Sequence, residues 1–321
     1  MQSFLMGIEN GIGLDIILWF QSWRTDFVSS LFKPFDLMGT ETFYLLFLTL
    51  VYWVIHKRAG QRLVIFFLFS AWLNAFLKEI FKRPRPYQVS ESVKPAFSAS
   101  EYGLPSGHTQ TGTTVGLILI HEIKKHWATA LLIVYIILMG VSRMVHGVHY
   151  PQDVLLGWAI GILIVFCLYQ LDDRLSGFVR ELTLGTMLLL TLGTAVIVLG
   201  MPFLTNPTLE GLSAALTPGA ALVGVIPGLY LESRYVHFST QGTLFRKSLR
   251  YLVGIVTALI IKEGLKPLLG MVNDHSLYMD AMLRIIRYCA LGVWLTAGAP
   301  WLFTKLNLAE RDNKDRRSES Q

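Results

Sequence analysis

Three short polar stretches stand among apolar runs and hold the residues best suited to chemistry. Lys78 is followed, after six residues, by Arg85-Pro86. Pro105-Ser106-Gly107-His108 comes next, and Ser142-Arg143 then precedes His149 by five intervening residues and Asp153 by three more. Polar and ionisable groups at a membrane margin are costly to desolvate, so they are functional candidates by default. Three cations, two imidazoles, one carboxylate and a Pro-Ser-Gly turn form a set suited to gripping a phosphate and attacking its phosphorus. Phosphoryl transfer without a metal needs fixed donors where charge spreads over the equatorial oxygens. Arg85 and Arg143 suit two-pronged contact with those oxygens, and Lys78 adds a point charge. Pro105 is expected to open a helix, placing Ser106, Gly107 and His108 in a first turn whose N–H groups point at a bound anion. Gly107 permits close backbone approach.

The nucleophile follows from spacing. His149 and Asp153 are four residues apart and share a face if a helix begins there. An aspartate on one ring nitrogen leaves the other free to attack, forming a phosphohistidine. His108 then protonates the leaving oxygen and later activates water. Among the neighbours, His146 lacks an acid four residues on and is expected as pocket wall. Lys82 and Arg83 are expected to face solvent or lipid headgroups. Asn74 reads as a helix–helix hydrogen bond, with support of Lys78 as the alternative. Ser142 is expected to support Arg143 or to donate to phosphate. The sequence contains no G-x-S-x-G elbow, Walker motif or Rossmann glycine set.

These residues must be held by elements suited to lipid. The 321 residues are 53% hydrophobic and 16% charged, with a mean hydropathy of +0.49. A soluble chain carries nearer a quarter charged residues, so the expectation is an all-α polytopic transmembrane bundle. Apolar runs fall at about 37–55, 63–81, 105–121, 127–144, 151–171, 182–203, 211–231, 249–268 and 283–304, giving about nine spans. Residues 1–36 read as amphipathic helices lying at the interface. The segment 37–171 is expected as the core bundle, 172–305 as an additional four-helix region, and 306–321 as a charged, disordered cytoplasmic tail. The linkers 56–62, 121–126, 172–180 and 232–250 and the tail carry Lys/Arg and alternate consistently, which makes them cytoplasmic. The linkers bearing the chemical stretches then lie outside. Lys266, Arg284 and Arg287 also fall on that outer side, where snorkelling to headgroups is the expected reading.

The net charge of +6 fits positive-inside bias and phosphate grip. No basic run with interleaved aromatics suggests a nucleic-acid face. Cys167 and Cys289 each lie in an apolar run with neither a disulfide framework nor metal spacing. No cleaved signal peptide is expected. Gly157 and Gly161 stand in GxxxG register, a sign of close helix packing. Pro218 and Pro227 predict a kinked helix over 211–231.

Taken together, the three stretches resemble the type 2 phosphatidic acid phosphatase superfamily, whose pattern K-x6-R-P, P-S-G-H and S-R-x5-H-x3-D is matched without departure over roughly residues 37–171. The resemblance implies metal-independent phosphatase chemistry with no cofactor. In it His149 is nucleophile, His108 acid and Asp153 the orienting group, and Lys78, Arg85, Ser106, Gly107, His108 and Arg143 ligate phosphate. The expected activity is hydrolysis of a lipid phosphate or polyprenyl diphosphate at the outer face of the cell membrane. Membrane lipids and a phosphorylated lipid substrate are the expected partners, with no nucleic acid and with homo-oligomerisation left open. Two alternatives remain. The nine-span layout and the Lys-Pro at 266–267 look like glucose-6-phosphatase, which would mean a water-soluble sugar phosphate. The C-terminal spans would otherwise serve a transporter or a membrane interaction protein.

Overall fold

The computed structural model describes residues 7, 9–181, 183–271 and 276–312. Within them, regular structure is helical apart from one isolated bridge between Phe238 and Arg311. The chain opens with α1 (Leu14–Ser22), α2 (Asp26–Leu37) and α3 (Glu41–Leu50), which continues to Ile55. Thr25 and Thr40 start α2 and α3 by accepting, through Oγ1, the N–H groups of Val28 and Phe43, each at 3.2 Å. The two helices form an apolar pair bent by 58°. α1 docks beneath the site loops, where Ile17 packs against Val93 and Tyr150. Gln21 and Arg24 each donate to the Lys94 carbonyl at 2.8 Å.

The three chemical stretches belong to α4 (Lys57–Phe81), α5 (Pro86–Val89), α6 (Gly107–Ile123), α7 (His126–Val145) and α8 (Pro151–Glu181) and the loops between them. α6 is the central helix. Its buried face carries Thr109, Gln110, Thr113 and Thr114. Gln110 donates to the Ser70 carbonyl at 2.9 Å and accepts from Asn74 at 2.9 Å. These bonds satisfy polar groups that lipid would leave unpaired. Gly157 and Gly161 of α8 face α6: a Cβ on Gly157 would stand 2.9 Å from the Ser106 carbonyl oxygen, and one on Gly161 2.8 Å from that of Gln110. The GxxxG register thus sets the distance between α8 and the helix that carries His108.

The remaining helices are α9 (Leu184–Gly200), α10 (Leu209–Leu231), α11 (Leu244–Gly270), α12 (Leu277–Val293) and α13 (Ala299–Lys305). α10 stays one helix across Pro218 and Pro227. Its Gly224 and Gly228 lie against α12 and the turn after it, with no room for a side chain. Trp72 Nε1 donates to the Val198 carbonyl at 2.8 Å, tying α4 to α9.

Helices coincide with all nine expected spans, but the count of nine is not upheld. Among the described residues six helices are long and apolar enough to cross a membrane, or up to seven if the bent α2–α3 pair is one span. The run at 105–121 is α6, only 17 residues long and polar on its protein-facing side. The run at 249–268 is α11, which has Arg246, Lys247 and Arg250 near one end and Lys262, Glu263 and Lys266 near the other.

The linkers gather at two ends of the bundle. At one end Lys57 pairs with Glu232 at 2.7 Å and Arg62 with Glu122 at 2.6 Å. There Arg250, fully buried, donates to the carbonyls of Trp53, Gln241 and Leu308 at 2.8 Å each. This corrects the expectation of a tail disordered from residue 306, since Leu308 and Ala309 are buried among Tyr52, Phe238 and Phe303. The rest of that expected tail, 313–321, lies outside the described residues. At the opposite end lie the loops carrying the chemistry. Lys82 Nζ reaches the carbonyls of Thr205 and Asn206 at 3.0 Å, and Ala96 N–H donates to the His146 carbonyl at 2.9 Å.

Candidate active site

α8 begins at Pro151, whose fixed φ suits a first helical position, and this puts Asp153 in the first turn directly below His149. Asp153 Oδ2 lies 3.1 Å from His149 Nδ1 and accepts the Tyr150 N–H at 3.0 Å. The Asp153 carbonyl accepts the Ser106 N–H at 3.0 Å, which locks the second stretch to the third. Both side chains are buried, His149 at 3% and Asp153 at 1% exposure.

Arg85 reaches the same imidazole from the other side. Its Nη1 is 3.1 Å from His149 Nε2 and donates to the Val148 carbonyl at 3.1 Å, while its Nε donates to the Glu101 carbonyl at 2.8 Å. A guanidinium only donates, so Nε2 is the accepting, unprotonated nitrogen and Nδ1 carries the proton shared with Asp153. Burial pushes the His149 imidazole well below the ordinary histidine value of 6.5, and the charges of Arg85, Lys78 and Arg143 push the same way. The folded site therefore favours the neutral form of His149.

Arg143 ends α7 fully buried. Its Nε donates to Ser142 Oγ at 3.0 Å and its Nη2 pairs with Asp36 Oδ1, while Nη1 has no hydrogen-bond partner. Ser142 in turn donates to the Met139 carbonyl at 2.7 Å, so it supports Arg143. Lys78, in the last turn of α4, pairs with Glu101 at 2.6 Å. The Lys78 ammonium holds the Glu101 carboxyl below the usual carboxylate value.

The second stretch departs from expectation in detail. The helix begins at Gly107 rather than Pro105, with Ser106 as its extended flanking residue. Ser106 Oγ shares a hydrogen bond with Thr109 Oγ1 at 2.9 Å. Gly107 lies against Asn74, whose Oδ1 would stand 3.0 Å from a Cβ there. Asn74 Nδ2 donates to the Pro105 carbonyl at 3.2 Å, so the helix–helix reading of Asn74 holds and its bond also fixes the turn. His108 packs on the α2–α3 turn, where a Cβ on Gly39 would overlap its imidazole. Gly39→Ala is accordingly expected to displace His108 while sparing the bundle. Kinetics beside a thermal melt should read a loss of kcat of about 100-fold, the cost of moving a reacting group by an ångström.

All the expected site residues gather at one end. His146 is pocket wall, with Nδ1 3.1 Å from Asp36 Oδ1 and its ring edge-on to Phe32 and Phe97. Lys82 is exposed as expected, but Arg83 is buried at 4% exposure, because the chain turns inward at Lys82, whose φ is 48°. Two residues were not foreseen. Asp36 and Glu101 pair with Arg143 and Lys78, two of the three cations expected to meet a phosphate. Asp36 looked like any polar position of an amphipathic helix, and Glu101 like an ordinary loop acid; neither lies in a motif.

Comparison with known proteins adds an independent line. Residues 59–176 match the model of the PAP2 superfamily, and residues 216–311 match that of the PAP2 superfamily phosphatase, transmembrane extension. Sphingosine-1-phosphate phosphatase 1 of Mus musculus is 25% identical over 305 residues, covering 85% of this chain and 71% of that protein. Lipid phosphate phosphatase delta of Arabidopsis thaliana is 23% identical over 272 residues, covering 78% and 65%. Phosphatidylglycerophosphatase B of Bacillus subtilis is 30% identical over 128 residues, covering 37% and 61%. Among solved structures, Aquifex aeolicus LpxE superposes with a TM-score of 0.45 at 25% identity, covering 50% of this chain and 96% of that one.

Proposed function

We propose that this chain, matched by the PAP2 superfamily model over residues 59–176 and by its transmembrane extension over residues 216–311, is a multi-pass membrane phosphatase that hydrolyses a lipid phosphate or polyprenyl diphosphate at the extracytoplasmic face, without a metal, through a phosphohistidine. The observation that carries the mechanism is His149 held between Asp153 and Arg85, with Nε2 facing a guanidinium that can only donate. Nε2 attacks phosphorus as the bond to the leaving oxygen breaks. Lys78, Arg85, Arg143 and the N–H groups opening α6 at Gly107 carry the charge on the equatorial oxygens. His108 gives its proton to the leaving oxygen; the negative charge of the bound phosphate favours that protonated form. His108 then takes a proton from water, whose oxygen attacks phosphorus. The N–P bond breaks and inorganic phosphate leaves.

The lipid class is supported by relatives that are each named for a lipid phosphatase. The orientation rests on Lys57, Arg62 and Arg250 gathering at the end opposite the site, which the positive-inside rule makes cytoplasmic. The test is phosphate release by the purified protein in EDTA from phosphatidate, phosphatidylglycerophosphate, undecaprenyl diphosphate and glucose 6-phosphate. Faster turnover of the sugar phosphate than of every lipid would overturn the lipid reading. Loss of all activity in EDTA would overturn the metal-free mechanism.

The depressed His149 pKa sets a pH expectation. Attack needs neutral His149, so the acid limb of kcat/KM assigned to it should fall below pH 6.5. The same group makes stability fall as pH drops through 6.5, because the unfolded histidine then takes a proton that the folded one refuses. A pH–rate profile and melts over the same range check both.

A further inference from the structure

A second polar cavity lies outside the catalytic pocket, in the half of the bundle that matches the transmembrane extension. It has a volume of about 310 Å³ and sits between α10, α11 and α12. One wall is apolar, with Leu212, Leu216 and Leu283. Among the described residues, the other presents Lys266, Arg284 and Arg287, with Asp280 as the acid of the lining. Arg287 stands ten residues into α12, about 15 Å along its axis. A cation at that depth in an apolar bundle is costly, and snorkelling to the helix end does not account for it. Its Nε is buried and has no hydrogen-bond partner among the described residues. Arg284 Nη1 has only a long contact with Thr217 Oγ1, at 3.3 Å. Leu209 and Leu277, the first residues of α10 and α12, also line the cavity, so two helix N-termini add positive potential.

The cavity lies at the same end of the bundle as the catalytic pocket. The start of α10 is tied to Glu79, the residue after Lys78: Thr208 donates to its carboxylate through N–H and Oγ1, each at 3.2 Å. Exposed apolar residues stand beside its rim, with Leu209 at 64% and Tyr278 at 76% exposure.

We propose that this cavity binds the phosphate of an anionic phospholipid, with Arg284 and Arg287 on the phosphate oxygens, Lys266 at the rim and the acyl chains along the apolar wall. The occupant supplies an acceptor to Arg287 Nε and a counter-charge to the cations of the lining. It is distinct from the substrate, since Arg85, Arg143 and the two imidazoles lie in the other half of the molecule.

The test is a thermal-shift titration of the full chain in detergent with dioleoyl phosphatidylglycerol, dioleoyl phosphatidylcholine or inorganic phosphate. The catalytic pocket is intact in every protein compared, so only the part of the shift lost by substitution is read. The wild-type protein should be stabilised by phosphatidylglycerol more than by phosphatidylcholine. Arg284→Gln and Arg287→Gln should each weaken the apparent affinity for phosphatidylglycerol about tenfold, the factor carried by one charge-assisted hydrogen bond. Lys266→Gln, at an exposed position, keeps the test valid if either half-buried arginine proves necessary for folding, and it should weaken binding in the same direction. Full reproduction of the wild-type shift by inorganic phosphate would overturn the lipid assignment and make the ligand a free anion. Equal stabilisation by phosphatidylcholine, or an affinity for phosphatidylglycerol unchanged in all three variants, would overturn the site.

Discussion

His149→Ala is expected to lower phosphate release by roughly four orders of magnitude or more while leaving the bundle folded. Removing the attacking group of a catalytic unit typically costs as much as removing the whole unit. The imidazole bridges Arg85 and Asp153 with 3.1 Å contacts on both nitrogens, so no neighbouring group can take its place. His146 does not substitute, because its Nδ1 faces Asp36 and its ring is enclosed by Phe32 and Phe97. The check is single-turnover kinetics on a lipid phosphate with rapid acid- and base-quench of the products. Wild-type enzyme should yield a base-stable, acid-labile phosphoryl-protein, and His149→Ala none. Activity within tenfold of wild type would remove the nucleophile from the mechanism.

The second large effect concerns Asp36. Arg143 is fully buried, and in the empty pocket one prong of its guanidinium is held by this carboxylate. A substrate phosphate must displace Asp36 to take both prongs. Asp36→Asn is therefore expected to have opposite effects on the empty and the occupied protein. The empty protein loses the counter-charge of a buried cation, a change of about 3–5 kcal/mol in comparable cases, and should melt at lower temperature. The occupied protein no longer has a competitor at Arg143, so vanadate or phosphate should bind about 10- to 100-fold more tightly, a difference of about 1–3 kcal/mol. A thermal melt with and without vanadate measures both. Weaker anion binding in Asp36→Asn would instead make Asp36 a positioning residue for Arg143. Glu101 stands in the same relation to Lys78, but it is 41% exposed in its side chain, so the corresponding effect of Glu101→Gln should be smaller.

The fold was legible to an unequal degree. Lys78, Arg85, His108, Arg143, His149 and Asp153 could be chosen from spacing because each lies at or near a helix end, where local geometry carries a side chain to a known face. The helix carrying Asp153 begins at Pro151 rather than at His149, so the 3.1 Å contact joins the first turn of α8 to the residue two before it. The number of crossings was less legible. α6 reads as an apolar run because Ile118, Ile120 and Leu117 dominate its later turns, yet Thr109, Gln110, Thr113 and Thr114 make its protein-facing side polar. A hydropathy sum does not separate a helix that meets lipid from one enclosed by its neighbours.

Residue types and their spacing were enough by themselves to determine the helical membrane class and to single out three cations and two imidazoles that the fold brings to one end, because those depend on interactions within one turn or one run of the chain. Tertiary structure alone decided which acids face the cations. Asp36 meets Arg143 across 107 positions and Glu101 meets Lys78 across 23. It also decided that Arg287 of α12 lines a cavity whose other walls come from α10 and α11. The physical reason is the same in each case. An ion pair or a cavity belongs to surfaces that packing brings together, and neither strand of sequence carries a mark of the other.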